Sequence, residues 1–289
     1  MSIADAVLLG VVQGLTEFLP VSSSGHLVLF EHVVQSFDAD GALLFNVTLH
    51  LGTLFSVLVY YRRDLAGMVG RLFSPSGVPV SGSAPPISPD WRFLGLIVLA
   101  MLVTALFGFP LRDWAEALFG ESRGGEQLMS DSQRLRFVGI ALIVTGVLLA
   151  LSERLQSGKA GRENLGWRDA LLIGAAQGLA VIPGISRSGA TISAALFRGV
   201  DAVQAVRFSF LLSVPAIVAA EFYALYAKGG ETAAPLAAGD LAAYGLGALT
   251  AFAVGLLAIK VIVGTARRGR LTYFAIYCWA VGGMVAVLA

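Results

Sequence analysis

Six stretches of the chain are apolar and almost free of charge: roughly 43–61, 93–111, 135–152, 205–227, 240–260 and 271–288. A helix needs about 20 mostly apolar residues to cross the hydrocarbon core, so each predicts a membrane-spanning α-helix. Two further apolar stretches, 3–30 and 169–199, are broken near their middle by Pro, Gly and clustered Ser. Neither half of such a stretch can cross alone. Each stretch therefore predicts two half-helices that enter and leave by the same face. Irregular backbone at membrane depth is tolerated only where protein or a polar cavity surrounds it. The expected fold is all-α and integral to the membrane, with six full spans and two re-entrant helical hairpins in a single domain, 1–289.

The two interrupted stretches are similar to one another. Residues 5–25 align with 169–189 without a gap at an offset of 164, and ten of the 21 positions are identical. The matches include Gln13-Gly14-Leu15 and the pattern Ser22-x-Ser24-Gly25. This predicts an internal duplication, repeat one at 1–152 and repeat two at 167–289. Each hairpin is followed by three spans, an odd number of crossings, so the second repeat lies upside down relative to the first. Hairpins entering from opposite faces then bring their tips together near the midplane, the plan of many transporters.

Charge sets the orientation. Only 13% of residues are charged, about half the proportion of a soluble domain. Net charge is +1, which gives no global field for nucleic acid or an acidic partner. Arg267, Arg268 and Arg270 stand without an acid between two spans and mark a cytoplasmic loop. Alternation from there puts 62–92, 153–168 and 198–207 inside, all of them arginine-bearing, and both termini outside. No Lys or Arg precedes Arg62, so the N-terminal segment lacks the basic start of a signal peptide and reads as part of the mature fold. Arg134 and Arg136 fit this scheme poorly, because they fall at an outer helix end. Segment 74–90 reads as a flexible Ser/Pro/Gly-rich cytoplasmic loop. Trp91, Trp114 and Trp167 read as interfacial anchors, and the single cysteine, Cys278, as a packing residue.

The interruptions carry the candidate chemistry. Gln13 and Glu17 are four residues apart, on one helix face. A carboxylate at membrane depth needs a compensating partner: a hard divalent cation with Gln13 as a second oxygen ligand, or hydrogen bonds across helices. Beyond Pro20, Ser22, Ser23, Ser24 and Gly25 gather hydroxyls and amides around the start of the next half-helix, where anions bind. His26 follows, placed to act as base for Ser23, to attack phosphorus itself, or to pack as a hydrogen-bonded residue. In the second copy Arg187 replaces Ser23, flanked by Ser186, Ser188 and Thr191. Its planar fork suits phosphate oxygens; a bridge to Glu17 is the structural alternative, and the two are compatible if a metal-bridged phosphate sits between them. His50, Asn46 and Thr53 put polar groups in the first span, to line the same cavity or to pack. Glu221 reads as a surface residue near an outer helix end, and Glu31 and His32 as rim residues.

Two runs carry a resemblance: Gln13-Gly-Leu-Thr-Glu17-Phe-Leu-Pro20-Val-Ser22-Ser23-Ser24-Gly25-His26, and Pro183-Gly-Ile-Ser186-Arg187-Ser188-Gly-Ala-Thr191. In these, and over its whole length, the chain resembles the undecaprenyl-diphosphate phosphatase family linked to bacitracin resistance. The resemblance implies a bacterial inner-membrane enzyme that removes the terminal phosphate of a C55 isoprenyl diphosphate. Its site would open to the periplasm, it would depend on a divalent cation, Mg²⁺ or Ca²⁺, and it would recycle the lipid carrier for peptidoglycan synthesis. Carried over by position, Glu17 with Gln13 serves the metal or acid–base role, and Ser23 with His26 forms a nucleophile–base pair. Arg187 binds phosphate with Ser186, Ser188 and Thr191, and Ser22 and Ser24 add donors. Gln13 stands where many relatives have Glu, and it can be neither a charged ligand nor a base. The residues leave Ser23, His26 and water open as nucleophile, and oligomeric state open as well. A transporter or flippase of a phosphorylated lipid is the competing class, served equally by an inverted repeat. A second rival, the other integral lipid-phosphatase superfamily, requires an Arg-Pro pair, and this chain has none.

Overall fold

The computed structural model describes residues 1–31, 39–73, 91–119, 129–156, 161–228 and 238–289. Segment 74–90 and His32 lie outside them, as does the side chain of Glu31. The described residues form eleven helices: α1 (Ile3–Phe18), α2 (Ser23–Glu31), α3 (Ala39–Tyr60), α4 (Arg62–Phe73), α5 (Trp91–Phe119), α6 (Asp131–Gln156), α7 (Trp167–Leu179), α8 (Arg187–Phe197), α9 (Ala202–Lys228), α10 (Ala238–Arg267) and α11 (Thr272–Leu288). Five helices contain windows long and apolar enough to cross a membrane: Leu43–Tyr60, Trp91–Ala115, Asp131–Gln156, Ala202–Tyr226 and Leu241–Arg267. The sixth expected span, α11, is apolar but only 17 residues long. Many large apolar side chains on these helices face outward, Leu106 at 70% exposure and Phe222 at 72% among them. An apolar exterior of that extent is incompatible with water and natural in lipid. The protein is an all-helical multi-pass membrane protein.

Segment 62–92 is not loop throughout, because its first part folds as α4. Leu65 and Met68 pack against the core, and Asp64 accepts a hydrogen bond from Arg207 on α9 at 2.6 Å. Both interrupted stretches are broken where the sequence indicates. The four short helices flanking the breaks have 16, 9, 13 and 11 residues, each below the length of a crossing. Ser22 in the first break and Gly184 in the second take positive φ angles, 69° and 91°.

The main pairings are α1 with α10, α5 with α7, α3 with α10, and α6 with α11. Glycine lets several of these helices meet backbone to backbone. A Cβ on Gly139 of α6 would lie 2.7 Å from the carbonyl oxygen of Gly282 on α11 and 2.9 Å from the Ala286 nitrogen. Gly139→Ala therefore forces the two helices apart, at about 1–3 kcal/mol. We expect the apparent Tm in detergent to fall by several degrees, and an unchanged melting curve would show that the contact is not tight.

A polar clasp closes the second interrupted stretch. The buried carboxylate of Asp169, in the first turn of α7, accepts from the Gly166 backbone at 2.7 Å, from Arg162 at 3.1 and 3.3 Å, and from Arg198 Nε at 3.0 Å. Arg198 is the C-cap of α8. Burial pushes the Asp169 carboxyl up, but the Gly166 amide and the two arginines outweigh it and hold the group below its ordinary value. Folding thus favours the carboxylate. The stabilisation is complete above the unfolded value near pH 4 and is lost as pH falls through the lower folded value. Both guanidiniums are part exposed, at 49% and 41%, so screening limits the contribution to about 1–2 kcal/mol. Asp169→Asn is expected to lower Tm at neutral pH and to flatten the acid limb of a Tm–pH profile below about pH 4.

Candidate active site

The two breaks meet. A Cβ on Gly25 would lie 3.2 Å from Cα of Gly184, and Ser188 Oγ donates to the Leu19 carbonyl at 3.3 Å. Helix α6 backs both breaks. Val138 touches Gly25 and Gly184, and Thr145 donates to the Gly184 carbonyl at 3.3 Å while accepting from the Ser186 amide at 3.1 Å.

At this junction the buried carboxylate of Glu17 is the hub. Oε1 accepts from Arg187 Nη2 at 2.8 Å, across 170 residues of sequence. Oε2 accepts from Ser23 Oγ at 2.7 Å and from Gln13 Nε2 at 3.0 Å. His50 Nε2 lies 3.9 Å from Oε2, and His50 Nδ1 lies 3.4 Å from a Glu221 carboxylate oxygen. A buried charge is tolerable only when paired and fully hydrogen-bonded, and Glu17 meets that condition with three donors from both interrupted stretches. Two buried atoms beside it lack any hydrogen-bond partner among the described residues, Gln13 Oε1 and Arg187 Nη1. One is an acceptor and the other a cationic donor, so the site retains capacity for both a cation and an anion.

The pairing of Ser23 with His26 expected from the sequence is not made. His26 Nδ1 faces the Ser22 carbonyl at 2.8 Å and so carries the proton, while Nε2 accepts from the Tyr277 hydroxyl at 2.8 Å. The rings of His26 and Tyr277 stack at 5.7 Å. Both imidazole nitrogens are engaged, and the Ser23 proton goes to Glu17 instead.

The expected phosphate-binding hydroxyls divide into two groups. Ser186, Ser188 and Thr191 are buried and their hydroxyls are committed within the fold. Ser186 caps α8 by accepting from the Gly189 amide at 3.1 Å. Thr191 donates to the Arg187 carbonyl at 2.8 Å and lies 2.6 Å from Ser209 on α9. These side chains shape the second break. Ser22 is buried, with Oγ 3.3 Å from both the Gly25 amide and Ser24 Oγ. Only Ser23, part exposed, and Ser24, exposed, present hydroxyls outward.

Sequence reasoning missed Tyr277, Thr145 and the inward turn of Glu221, whose side chain is 16% exposed and directed at His50. Thr53 bonds within its own helix, at 2.9 Å to the His50 carbonyl, and Asn46 accepts from His50 Nδ1 through its backbone at 2.9 Å.

Among the described residues, no group of three His, Cys, Asp or Glu side chains is placed to hold a metal ion. The oxygens of Glu17, Ser23 and the unpartnered Gln13 amide nonetheless suit a hard cation that draws its remaining ligands from water or a phosphorylated substrate.

The chain can be set beside known proteins on this basis. It is 40% identical over 284 residues to an undecaprenyl-diphosphatase of Syntrophotalea carbinolica, covering 98% of each chain. With an undecaprenyl-diphosphatase of Desulfosudis oleivorans it shares 42% identity over 287 residues, covering 97% of this chain and 96% of the other. With that of Korarchaeum cryptofilum it shares 38% over 290 residues, covering 100% and 99%. The profile of the family described as bacitracin resistance protein BacA matches residues 6–284, which takes in both breaks and every side chain around Glu17. By full-length similarity and by profile, this chain belongs to the BacA family.

Proposed function

We propose that the chain is an undecaprenyl-diphosphatase that hydrolyses undecaprenyl diphosphate to undecaprenyl phosphate and phosphate, recycling the lipid carrier at the outer face of the bacterial inner membrane. Full-length similarity supports the activity. One observation carries the site: Glu17 receives Ser23 Oγ at 2.7 Å and Arg187 Nη2 at 2.8 Å from opposite breaks.

In this reading the two interrupted stretches are re-entrant hairpins of an inverted repeat, 1–152 and 167–289. The Asp169–Arg198 contact at 3.0 Å supports re-entry of the second, since it ties the start of α7 to the end of α8. For the first, Leu27 of α2 shares a buried cluster with Ala6 and Leu9 of α1. The pairings support the repeat. Exchanging the halves turns α1–α10 into α7–α5 and leaves α6–α11 unchanged, and all three pairings occur. The arginine-rich α10–α11 loop then lies in the cytoplasm and both termini in the periplasm.

The substrate's diphosphate enters the pocket at the tips. Ser23 Oγ attacks the terminal phosphorus and Glu17 takes its proton. Arg187, through Nη1 while Nη2 stays on Glu17, holds a phosphoryl oxygen as charge develops on it. The bond to the bridging oxygen breaks, undecaprenyl phosphate leaves, and water releases phosphate from the serine. Glu17 and Gln13 would hold a divalent cation, Mg²⁺ or Ca²⁺, which when bound neutralises diphosphate charge. His26, fixed by Tyr277, positions the Ser22 carbonyl and with it the turn that aims Ser23.

Phosphate release from C55 diphosphate in detergent tests this reading. Ser23→Ala should lose about 10²-fold or more in kcat, and a phosphoserine should be trapped in the wild type at early times. Chelator should abolish turnover, with Mg²⁺ or Ca²⁺ restoring it. Full activity of Ser23→Ala would eliminate the covalent route, and indifference to chelator would eliminate the cation.

A further inference from the structure

We propose that Arg134 is a further substrate-binding residue, one that grips a phosphate oxygen of the lipid diphosphate at the outer mouth of the pocket. This rests on the site reading given above.

Three observations converge on it. Arg134 Nε and Nη2 are buried and have no hydrogen-bond partner among the described residues, although the residue as a whole is part exposed. Guanidinium N–H groups enclosed without a partner are costly unless an anion completes them. The residue also stands on the working face of α6. Residues 134, 138, 141 and 145 share one helical stripe. Val138 and Ala141 touch the breaks at Gly25 and Gly184, and Thr145 bonds the Gly184 carbonyl. Arg134 is the next position outward on that stripe, one turn or about 6 Å beyond Val138. Helical side chains lean toward the N-terminus, so its guanidinium reaches further outward, along α2, which packs on α6. Finally, Arg134 lies at a helix end where the positive-inside bias disfavours arginine, so topology does not account for it, and no partner for Nε or Nη2 stands among the described residues.

The chemistry that fits is a phosphate oxyanion. Two sources offer one: the substrate diphosphate and an anionic phospholipid headgroup. Position assigns the first, because a ligand on Arg134 lies on the path to Glu17 and Ser23. Arg187 then acts at the transferred phosphoryl group and Arg134 acts on binding alone.

The test is steady-state turnover of C55 diphosphate by purified enzyme in phospholipid-free detergent, comparing wild type, Arg134→Gln and Arg134→Lys, with Arg187→Ala as reference. Losing charge-assisted hydrogen bonds predicts a KM raised about 10-fold or more in Arg134→Gln, kcat within about 2-fold of wild type, and partial recovery in Arg134→Lys. An unchanged KM overturns the proposal. So does a KM change that appears only when anionic phospholipid is added, which would assign the guanidinium to a headgroup. Should Arg134→Gln fail to fold, the KM of Arg134→Lys decides, together with the thermal shift that inorganic pyrophosphate produces in wild type and in Arg134→Lys. An equal shift in both, with equal KM, counts against the proposal. The site reading fails separately, by intact kcat in Arg187→Ala.

Discussion

Glu17→Gln is expected to lower kcat on C55 diphosphate by about 10³-fold while the protein remains folded. The substitution keeps the shape and removes the charge. Ser23 then loses the acceptor that takes its proton, and general-base loss alone is worth about 10²–10⁴-fold. Gln can still accept one hydrogen bond from Arg187, so the bridge between the two halves is weakened and not vacated. Glu17→Ala differs. It leaves the Arg187 guanidinium buried without its carboxylate, a destabilisation of about 3–5 kcal/mol, and its inactivity alone would therefore be ambiguous. Size-exclusion elution and a melting curve separate the two cases. Turnover of Glu17→Gln within a few-fold of wild type would remove Glu17 from the chemistry and leave it a structural anchor.

Arg187→Ala is expected to cost about 10²–10³-fold in kcat, the usual loss when a single donor to a developing oxyanion is removed. Its unpartnered Nη1, beside an Nη2 that bonds Glu17 at 2.8 Å, is the reason. Arg187→Lys should recover only a small part, because an ammonium presents a point charge and cannot reach the carboxylate and a phosphoryl oxygen with a planar pair of N–H groups. Recovery to near wild-type rate in the lysine variant would show that charge alone suffices. The measurement is kcat under saturating substrate, with KM reported beside it.

The parts of this site that were legible in the sequence share one property: they violate the apolar rule of a membrane segment. Pro20, Pro183 and Gly184 break helices that composition would otherwise continue, and both breaks lie where they stand. Glu17 and Arg187 are charges inside apolar stretches that require partners, and they partner each other. Residues whose role depends on which helix faces which were not legible. Tyr277 meets His26 across 251 positions, and Glu221 meets His50 through the packing of α9 on α3. Nothing local distinguishes either from a residue at a lipid boundary. Thr191 shows the same dependence on packing. Its hydroxyl reads from the motif as a phosphate donor, and only the fold shows that α9 places Ser209 beside it. Which neighbour accepts from the Ser23 hydroxyl could be read only from the fold, since Glu17 and His26 are both near in sequence and the bond is made to Glu17.

Because Arg187 holds Glu17 with one prong of its fork while the other stands empty, the resting protein need not choose between insertion and reactivity. A naked acid or a naked base would each resist transfer into lipid. Joined, the two form a near-neutral couple, and under the proposed mechanism the spare prong would take an oxyanion without that couple having to come apart.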